Sequence, residues 1–254
     1  MKDVFVMTSD PRMRALLDEL TRRGINAEGD AHLPERLPKT VLLPYAKFPS
    51  VDYSQLRGCD SVFAGGFGED FRDFCKDENI RLVDWLADEE LTLKNAHLTA
   101  EGAVAIALDK SPLALKDSFV TVLGYGRVAR ACVKLFSSLG AHVRVMARSY
   151  PARLDAYTRG CKAFCIADNA PLQDSDILIN TIPSMILDSA RLEYLPKDAL
   201  IIELASAPYG IDLEAAKTMG LEVIAAGGLP AKTAPKTAGK FMADLAVRAL
   251  GGGV

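Results

Sequence analysis

Phe119-Val120-Thr121-Val122-Leu123-Gly124-Tyr125-Gly126-Arg127-Val128-Ala129 decides how this chain is read. A β-branched apolar run enters a Gly-x-Gly-x-x-Ala turn and leaves into a helical pattern. That is the strand, phosphate turn and helix of a dinucleotide-binding βαβ unit. Gly124 permits the tight turn, and Gly126, with no Cβ, lets the backbone approach a pyrophosphate. Ala129 is small enough for close packing of helix on strand. The start of the helix, with Arg127 and Val128 in its first turn, offers N–H groups and a positive dipole end to phosphates.

Outward from this turn, the helix over 127–139 leads to a second strand, Ala141 to Ala147, which ends in Ala147-Arg148-Ser149. In an NAD-binding unit this place usually holds Asp or Glu for the ribose 2′-hydroxyl. Here no carboxylate repels a 2′-phosphate, Arg148 offers a guanidinium fork and Ser149 a hydroxyl. The pattern predicts NADP(H) as cofactor; the alternative is an Arg148 that is simply solvated at a strand end. Further strands are expected over 162–166, 176–180, 199–204 and 221–225. With the first two they make six, the number of a complete doubly wound sheet.

The residues before this unit form a second α/β pattern. Strands are expected at Val4 to Met7, Thr40 to Tyr45, Ser61 to Ala64 and Arg81 to Asp84. Helices are expected over Pro11 to Arg23 and Glu69 to Asn79, and prolines 34, 38, 44 and 49 mark connecting loops. The fold class is therefore α/β in two domains: a C-terminal Rossmann-type doubly wound parallel sheet and a smaller N-terminal α/β domain. The expected division is 1–98 for the substrate-side domain, 99–116 for an interdomain helix, 117–230 for the NADP-binding domain, and 231–254 for a loop and a C-terminal helix packing back on the first domain. Gly251-Gly252-Gly253 reads as a fraying tail.

Whole-chain numbers fit an enzyme-sized globular protein. The chain has 254 residues, 49% of them hydrophobic, and a formal net charge of −3, which argues against nucleic acid as the main partner. There is no run of 18 apolar residues and no signal-peptide pattern, so neither membrane insertion nor export is expected, and the location expected is cytoplasmic. Cys59, Cys75, Cys132, Cys161 and Cys165 are scattered, read as reduced thiols, and complete no zinc set; no metal is expected.

In an open parallel sheet, ligands lie beyond the carboxyl ends of the strands, and several segments map there. Ile179-Asn180-Thr181-Ile182-Pro183 puts Thr181 and Pro183 on the nicotinamide ribose side, or is a plain strand-to-helix turn. Leu204-Ala205-Ser206 is small enough for close approach of the nicotinamide ring; Glu203 before it is a buried acid or a turn acceptor. Gly227 to Gly239 reads as a rigid loop whose Lys232 and Lys236, with its threonines, suit an anionic substrate or the cofactor phosphates; the bland alternative is an exposed basic loop.

In the segment between the domains, Thr99 is either a catalytic-side polar group or an N-cap, with Glu101 favouring the helix dipole. Gly102 inside a helix predicts close approach of another backbone. The candidates for catalysis are Thr99, Glu101, Lys232 and Lys236; those for substrate binding are Arg12, Asn95, Ser206 and Thr237. Of the histidines, His97 alone is considered for proton transfer, His142 being structural and His32 in a loop.

Taken together, Asp10-Pro11-Arg12, Asn95-Ala96 with Thr99-Ala100-Glu101-Gly102-Ala103, Gly124-Tyr125-Gly126-Arg127, Ile179 to Pro183, Leu204-Ala205-Ser206 and Gly228-Leu229-Pro230 with Ala234-Pro235-Lys236-Thr237-Ala238-Gly239 resemble the dipicolinate synthase A-subunit family of spore-forming bacteria. The resemblance runs through most of the chain. It implies NADP-dependent oxidation of a dihydrodipicolinate-type precursor, made from pyruvate and aspartate semialdehyde, to pyridine-2,6-dicarboxylate. It further implies a flavoprotein-like partner subunit, assembly as a homo- or hetero-oligomer, and the mother cell of a sporulating bacterium as location.

The chain departs from the family pattern at Thr8-Ser9-Asp10 (usually Gly-Gly-Asp), Glu203 (usually Asp), Pro208-Tyr209-Gly210 (usually Pro-Gly-Gly) and Ala231 (usually Gly), and is short in its first half. Two other readings stand beside this one. A different two-domain NADP dehydrogenase, of shikimate or methylene-tetrahydrofolate type, would use a lysine of the first domain, for which Lys94 is the nearest candidate. A non-catalytic subunit would sense NADP(H) and regulate a partner enzyme.

Overall fold

A computed structural model describes residues 3–45 and 48–251, so Gly252 and Gly253 of the expected tail lie outside the described residues. Contacts divide the chain into two units, one of residues 1–95 with 230–254 and one of residues 96–229.

The first unit is built on β1 (Val4–Met7), β2 (Ala27–Asp30), β3 (Thr40–Leu42), β4 (Ser61–Ala64) and β5 (Arg81–Asp84), with α1 (Pro11–Arg22) and α2 (Glu69–Asp77) between them. The five strands form one parallel sheet in the order β2-β1-β3-β4-β5. Side chains of β1 alternate between two cores, as the pleat requires. Val4 and Val6 meet Met13, Leu16 and Leu20 of α1 together with Met242 and Leu245 of the C-terminal helix. Phe5 and Met7 meet Val41, Val62 and Phe71 on the other face. Burial on both faces is what a parallel sheet demands.

Asp10 caps α1 by accepting from the Arg12 and Met13 amides at 2.8 and 3.3 Å. The C-terminal helix packs so closely on α1 that a Cβ on Gly239 would lie 2.6 Å from the Ala15 Cβ.

Three local expectations need correction here. The sequence pattern gives no strand at β2, because Ala27-Glu28-Gly29-Asp30 has no apolar alternation. It is an edge strand with only Ala27 buried, held by its register against β1. β3 stops at Leu42 rather than at Tyr45, two residues before Pro44, which has no N–H to give to a ladder. The interdomain helix expected over 99–116 begins ten residues earlier and ends short of 116: α3 runs Glu89–Lys110, and the Asp88 carboxylate accepts from the Leu91 amide at 2.7 Å at its start.

The second unit carries β6 (Phe119–Leu123), β7 (His142–Ala147), β8 (Lys162–Cys165), β9 (Ile177–Asn180), β10 (Leu200–Glu203) and β11 (Glu222–Ala225), all parallel, in the order β11-β10-β9-β6-β7-β8. That is the doubly wound order, its chain reversal lying between β6 and β9. α4 (Arg127–Ser138) and α5 (Tyr150–Thr158) follow β6 and β7; α6 (Ser189–Leu192) and α7 (Leu213–Thr218) follow β9 and β10. Val120, Val122, Ile177, Ile179 and Ile202 bury against α3 and α4, and Leu123, Leu178 and Ile201 against the opposite layer.

The chain closes with α8 (Leu229–Thr233) and α9 (Pro235–Ala249). The rigid loop read over 227–239 is thus largely helical, broken only at Ala234, whose φ of −139° and ψ of 51° leave the helix before Pro235 restarts it.

Candidate functional site

The site is built on the carboxyl edge of the six-stranded sheet. Gly124 has φ +96°, a conformation costly for any residue with a side chain, and a Cβ there would lie 2.6 Å from the Thr181 hydroxyl oxygen. The turn therefore presses β6 against the end of β9. Thr181 ties the two from its own side, its hydroxyl donating to the Leu123 carbonyl at 2.7 Å. Gly126 is different. A Cβ there would meet nothing within 4 Å, so the space in front of this residue is open.

Gly126 is the N-cap of α4, and among the described residues no side chain caps that helix. Arg127 is exposed, Val128 is half-buried, and the first turn of the helix holds no acidic residue. An uncapped twelve-residue helix start fronted by open space fits the pyrophosphate of a dinucleotide.

At the end of β7, Ala147 is buried and Arg148 and Ser149 are exposed. The Ser149 hydroxyl caps α5, accepting from the Ala152 amide at 3.4 Å. Ile166 and Asn169, which follow β8, and Met185 and Arg191, which follow β9 before and within α6, line an open pocket of about 380 Å³. The Arg191 guanidinium holds its rim, donating to the carbonyls of Ile186 and Ile166 at 2.8 Å each.

The ends of β9 and β10 are joined by one carboxylate. Glu203 is fully buried, and its oxygens accept from Asn180 Nδ2 at 2.9 Å, the Ala205 amide at 2.8 Å and the Gly210 amide at 3.0 Å. Burial pushes its pKa up, while these three donors pull the other way. Asn180 also donates to the Ile182 carbonyl at 3.1 Å. Gly210 closes the knot: a Cβ there would lie 2.4 Å from Asn180 Nδ2. The segments holding Thr181 and Pro183 and holding Ala205 and Ser206 are thus tied to one buried acid. Both sequence readings of Glu203 meet in it, since it is buried and it accepts from the turn.

Other expected residues sit as follows. Thr99 and Glu101 lie within α3, ten residues or more after its start, so neither caps a helix nor meets its N-terminal dipole; Glu101 is exposed. Gly102 is approached by a side chain instead of a backbone, the Leu229 Cβ lying 2.9 Å from where its own would be. Asn95 is buried. In the first unit, Arg12 is buried with its guanidinium on the Asp10 carboxylate at 2.9 Å and over the Tyr45 ring at 5.1 Å; the residue expected to meet a substrate carboxylate already meets one of its own. Arg14, which no sequence motif singles out, lines an open pocket of about 480 Å³ with Thr8, Ser9, Asp18 and Lys236. Lys232, Lys236 and Thr237 sit in or beside the helices α8 and α9, with Lys236 and Thr237 exposed. Lys94 is paired with Glu90 at 2.5 Å and lies over the Phe241 ring at 5.0 Å. His97 is exposed on α3.

A doubly wound sheet with an open, uncapped glycine turn at the start of α4 is the architecture of a dinucleotide-binding domain. Residues 95–227 match the family "D-isomer specific 2-hydroxyacid dehydrogenase, NAD binding domain", and the chain belongs to it. More particularly, the chain is similar to the A-subunit of dipicolinate synthase. It is 36% identical to that protein of Bacillus subtilis over 166 residues, 65% of this chain, and the match spans 56% of the relative's length. The crystal structure of the dipicolinate synthase A-subunit from Bacillus halodurans superposes with a TM-score of 0.86 at 25% identity, covering 98% of this chain and 97% of that one. A transhydrogenase from Sinorhizobium meliloti shares the fold, with a TM-score of 0.71 at 16% identity over 97% of this chain and 92% of that one. Among the described residues, no helix is long and apolar enough to cross a membrane.

Proposed function

We propose that this chain is an NADP-dependent oxidoreductase of the dipicolinate synthase A-subunit type, which oxidises a dihydrodipicolinate-type dicarboxylate to pyridine-2,6-dicarboxylate. The observation that carries this reading is the likeness to dipicolinate synthase A chains over nearly the whole length, joined to a strand end, Ala147-Arg148-Ser149, with no carboxylate. When bound, the oxidised nicotinamide supplies the acceptor for the hydride.

The chain's own groups do the positioning. The α4 amides and Gly126 hold the pyrophosphate, with Gly124, Arg127 and Val128 shaping the turn, and Arg148 and Ser149 take the 2′-phosphate. Thr181, Pro183 and Ala205 carry the nicotinamide ribose and ring. In the first unit, Lys232 and Lys236 supply charge for an anionic substrate, and Arg12, Asn95 and Thr237 are further substrate-binding groups. In the second unit, Ser206 is a hydroxyl partner and Thr99 and Glu101 are polar groups on α3. Orientation of the reacting carbon against the nicotinamide is the main protein contribution to rate. A flavoprotein-like partner chain belongs to this reading.

The test is spectrophotometric. The chain and NADP⁺ are mixed with freshly made condensation product of pyruvate and aspartate semialdehyde, with and without the candidate partner. NADPH and the ultraviolet band of pyridine dicarboxylate should rise together. If neither rises while NADPH binds, the reaction assignment is wrong and another two-domain dehydrogenase or a regulatory role becomes the better reading.

A further inference from the structure

The turn after β7 carries a second arginine. Arg153, in the first turns of α5, is half-buried, and its Nη1 donates to the Ala147 carbonyl at 2.9 Å and the Arg148 carbonyl at 2.7 Å. Its Cζ lies 5.7 Å from the centre of the Tyr150 ring. These bonds engage only Nη1; among the described residues no acceptor meets Nε or Nη2. The first turn of α5 has no acidic residue. Asp155, the nearest carboxylate along the helix, is held by Arg159 at 3.1 Å and approached by Arg130 at 3.7 Å.

We infer that Arg153 determines the preference of this site for a 2′-phosphorylated dinucleotide. The inference rests on the reading that the cofactor's adenosine ribose lies at the end of β7. The two carbonyl oxygens at that strand end are partial negative charges, and a phosphate dianion beside them is repelled unless they are capped. Arg153 caps the Arg148 carbonyl, joins the Ile166 amide (3.2 Å) on the Ala147 carbonyl, and fixes a full positive charge beneath the turn. Arg148, exposed, offers a charge that water and salt screen. A guanidinium already held in place loses less freedom on meeting a phosphate than one in solvent. The 2′-hydroxyl of a non-phosphorylated cofactor draws nothing from that charge. Arg153 is therefore a specificity residue that acts partly through the backbone of Ala147 and Arg148.

The experiment is calorimetric titration of NADPH, NADH and 2′,5′-ADP into the full chain and into Arg153→Met and Arg153→Lys, with circular dichroism melts alongside. Arg153→Met should weaken NADPH and 2′,5′-ADP roughly tenfold and leave NADH unchanged. Arg153→Lys keeps the charge but caps fewer carbonyls, so its NADPH-to-NADH ratio should fall between wild type and Met; that comparison stands alone if the Met variant does not fold. An equal loss for NADPH and NADH, or an unchanged ratio, overturns the inference. A wild-type chain that binds both cofactors alike, or neither, sinks the cofactor reading itself, a separate result.

Discussion

Glu203→Gln tests whether one buried carboxylate organises the cofactor edge. Three N–H donors, from Asn180, Ala205 and Gly210, converge on the two oxygens of Glu203. A carboxamide oxygen can serve two of them, and its NH₂ then faces the third. A buried donor left without an acceptor costs about 1–3 kcal/mol, and removing a buried charge offsets part of that. A net loss near the low end lowers the melting temperature of a chain this size by about 2–4 °C per kcal/mol.

The pH dependence has a fixed sign. The folded pKa of Glu203 is raised by burial, so its contribution is fullest below the ordinary carboxylate value and falls as pH rises through the folded one. Gln does not titrate, so the gap between wild type and variant should widen as pH is lowered. Melts followed by circular dichroism at several pH values, with NADPH titration at each, make the assay. NADPH affinity should fall more than stability, because the segments holding Thr181 and Ala205 both lose their tie. A variant that melts and binds as wild type does, or a gap that narrows in acid, would refute the reasoning.

Other predictions concern the same edge and the first unit. Gly126→Ala should leave the melting temperature unchanged, since its Cβ enters open space, yet weaken dinucleotide binding by an order of magnitude or more, because that is the space a pyrophosphate needs. Arg148→Asp should shift preference from NADPH towards NADH in paired titrations; equal NADPH affinity would remove Arg148 from the site. Arg22 and Arg23 hold Glu19 at a pKa of about 2, so its contribution to stability is complete above pH 4.5 and lost as pH falls towards 2. Glu19→Gln should flatten that part of the acid melting curve.

The centre of the second unit's sheet is legible in the sequence because β6, β9 and β10 are buried on both faces, and such strands read as continuous apolar runs ending at turn residues, whereas the edge strands β8 and β11 are only half-buried or exposed. β2 is not legible, because an edge strand with three exposed residues carries no such signal. The start of α3 is hidden because Glu89 to His97 mixes charged and polar residues with only Leu91, Leu93 and Ala96 as apolar ones, although Asp88 followed by two glutamates is a helix-start pattern that marks it. Pro230 and Pro235 read as loop formers, yet both sit in the first turns of helices, where a missing N–H costs nothing. In the site, the phosphate turn is readable from spacing alone. The pairing of Asn180 with Glu203 is not, since a side chain's partner across 23 residues is set by how strands align and leaves no local mark. Arg12 and Asp10 are two residues apart, but only the cap geometry of Asp10 turns its carboxylate onto the guanidinium.

The interruption of the first unit bears on the order in which this protein can be made. Its sheet and α1 come from the first 95 residues, but Met242 and Leu245, which cover Val4, Leu16 and Leu20, arrive only after the whole of 96–229 has been synthesised. During translation the nucleotide domain is contiguous and free to fold as soon as it emerges, whereas the earlier residues wait with an apolar face bare. The earlier of the two segments of this unit is therefore finished only once the later one has been made. In the cell that makes this protein, the interval before α9 appears is when chaperones have the most to bind and when a stalled ribosome would leave the most aggregation-prone product.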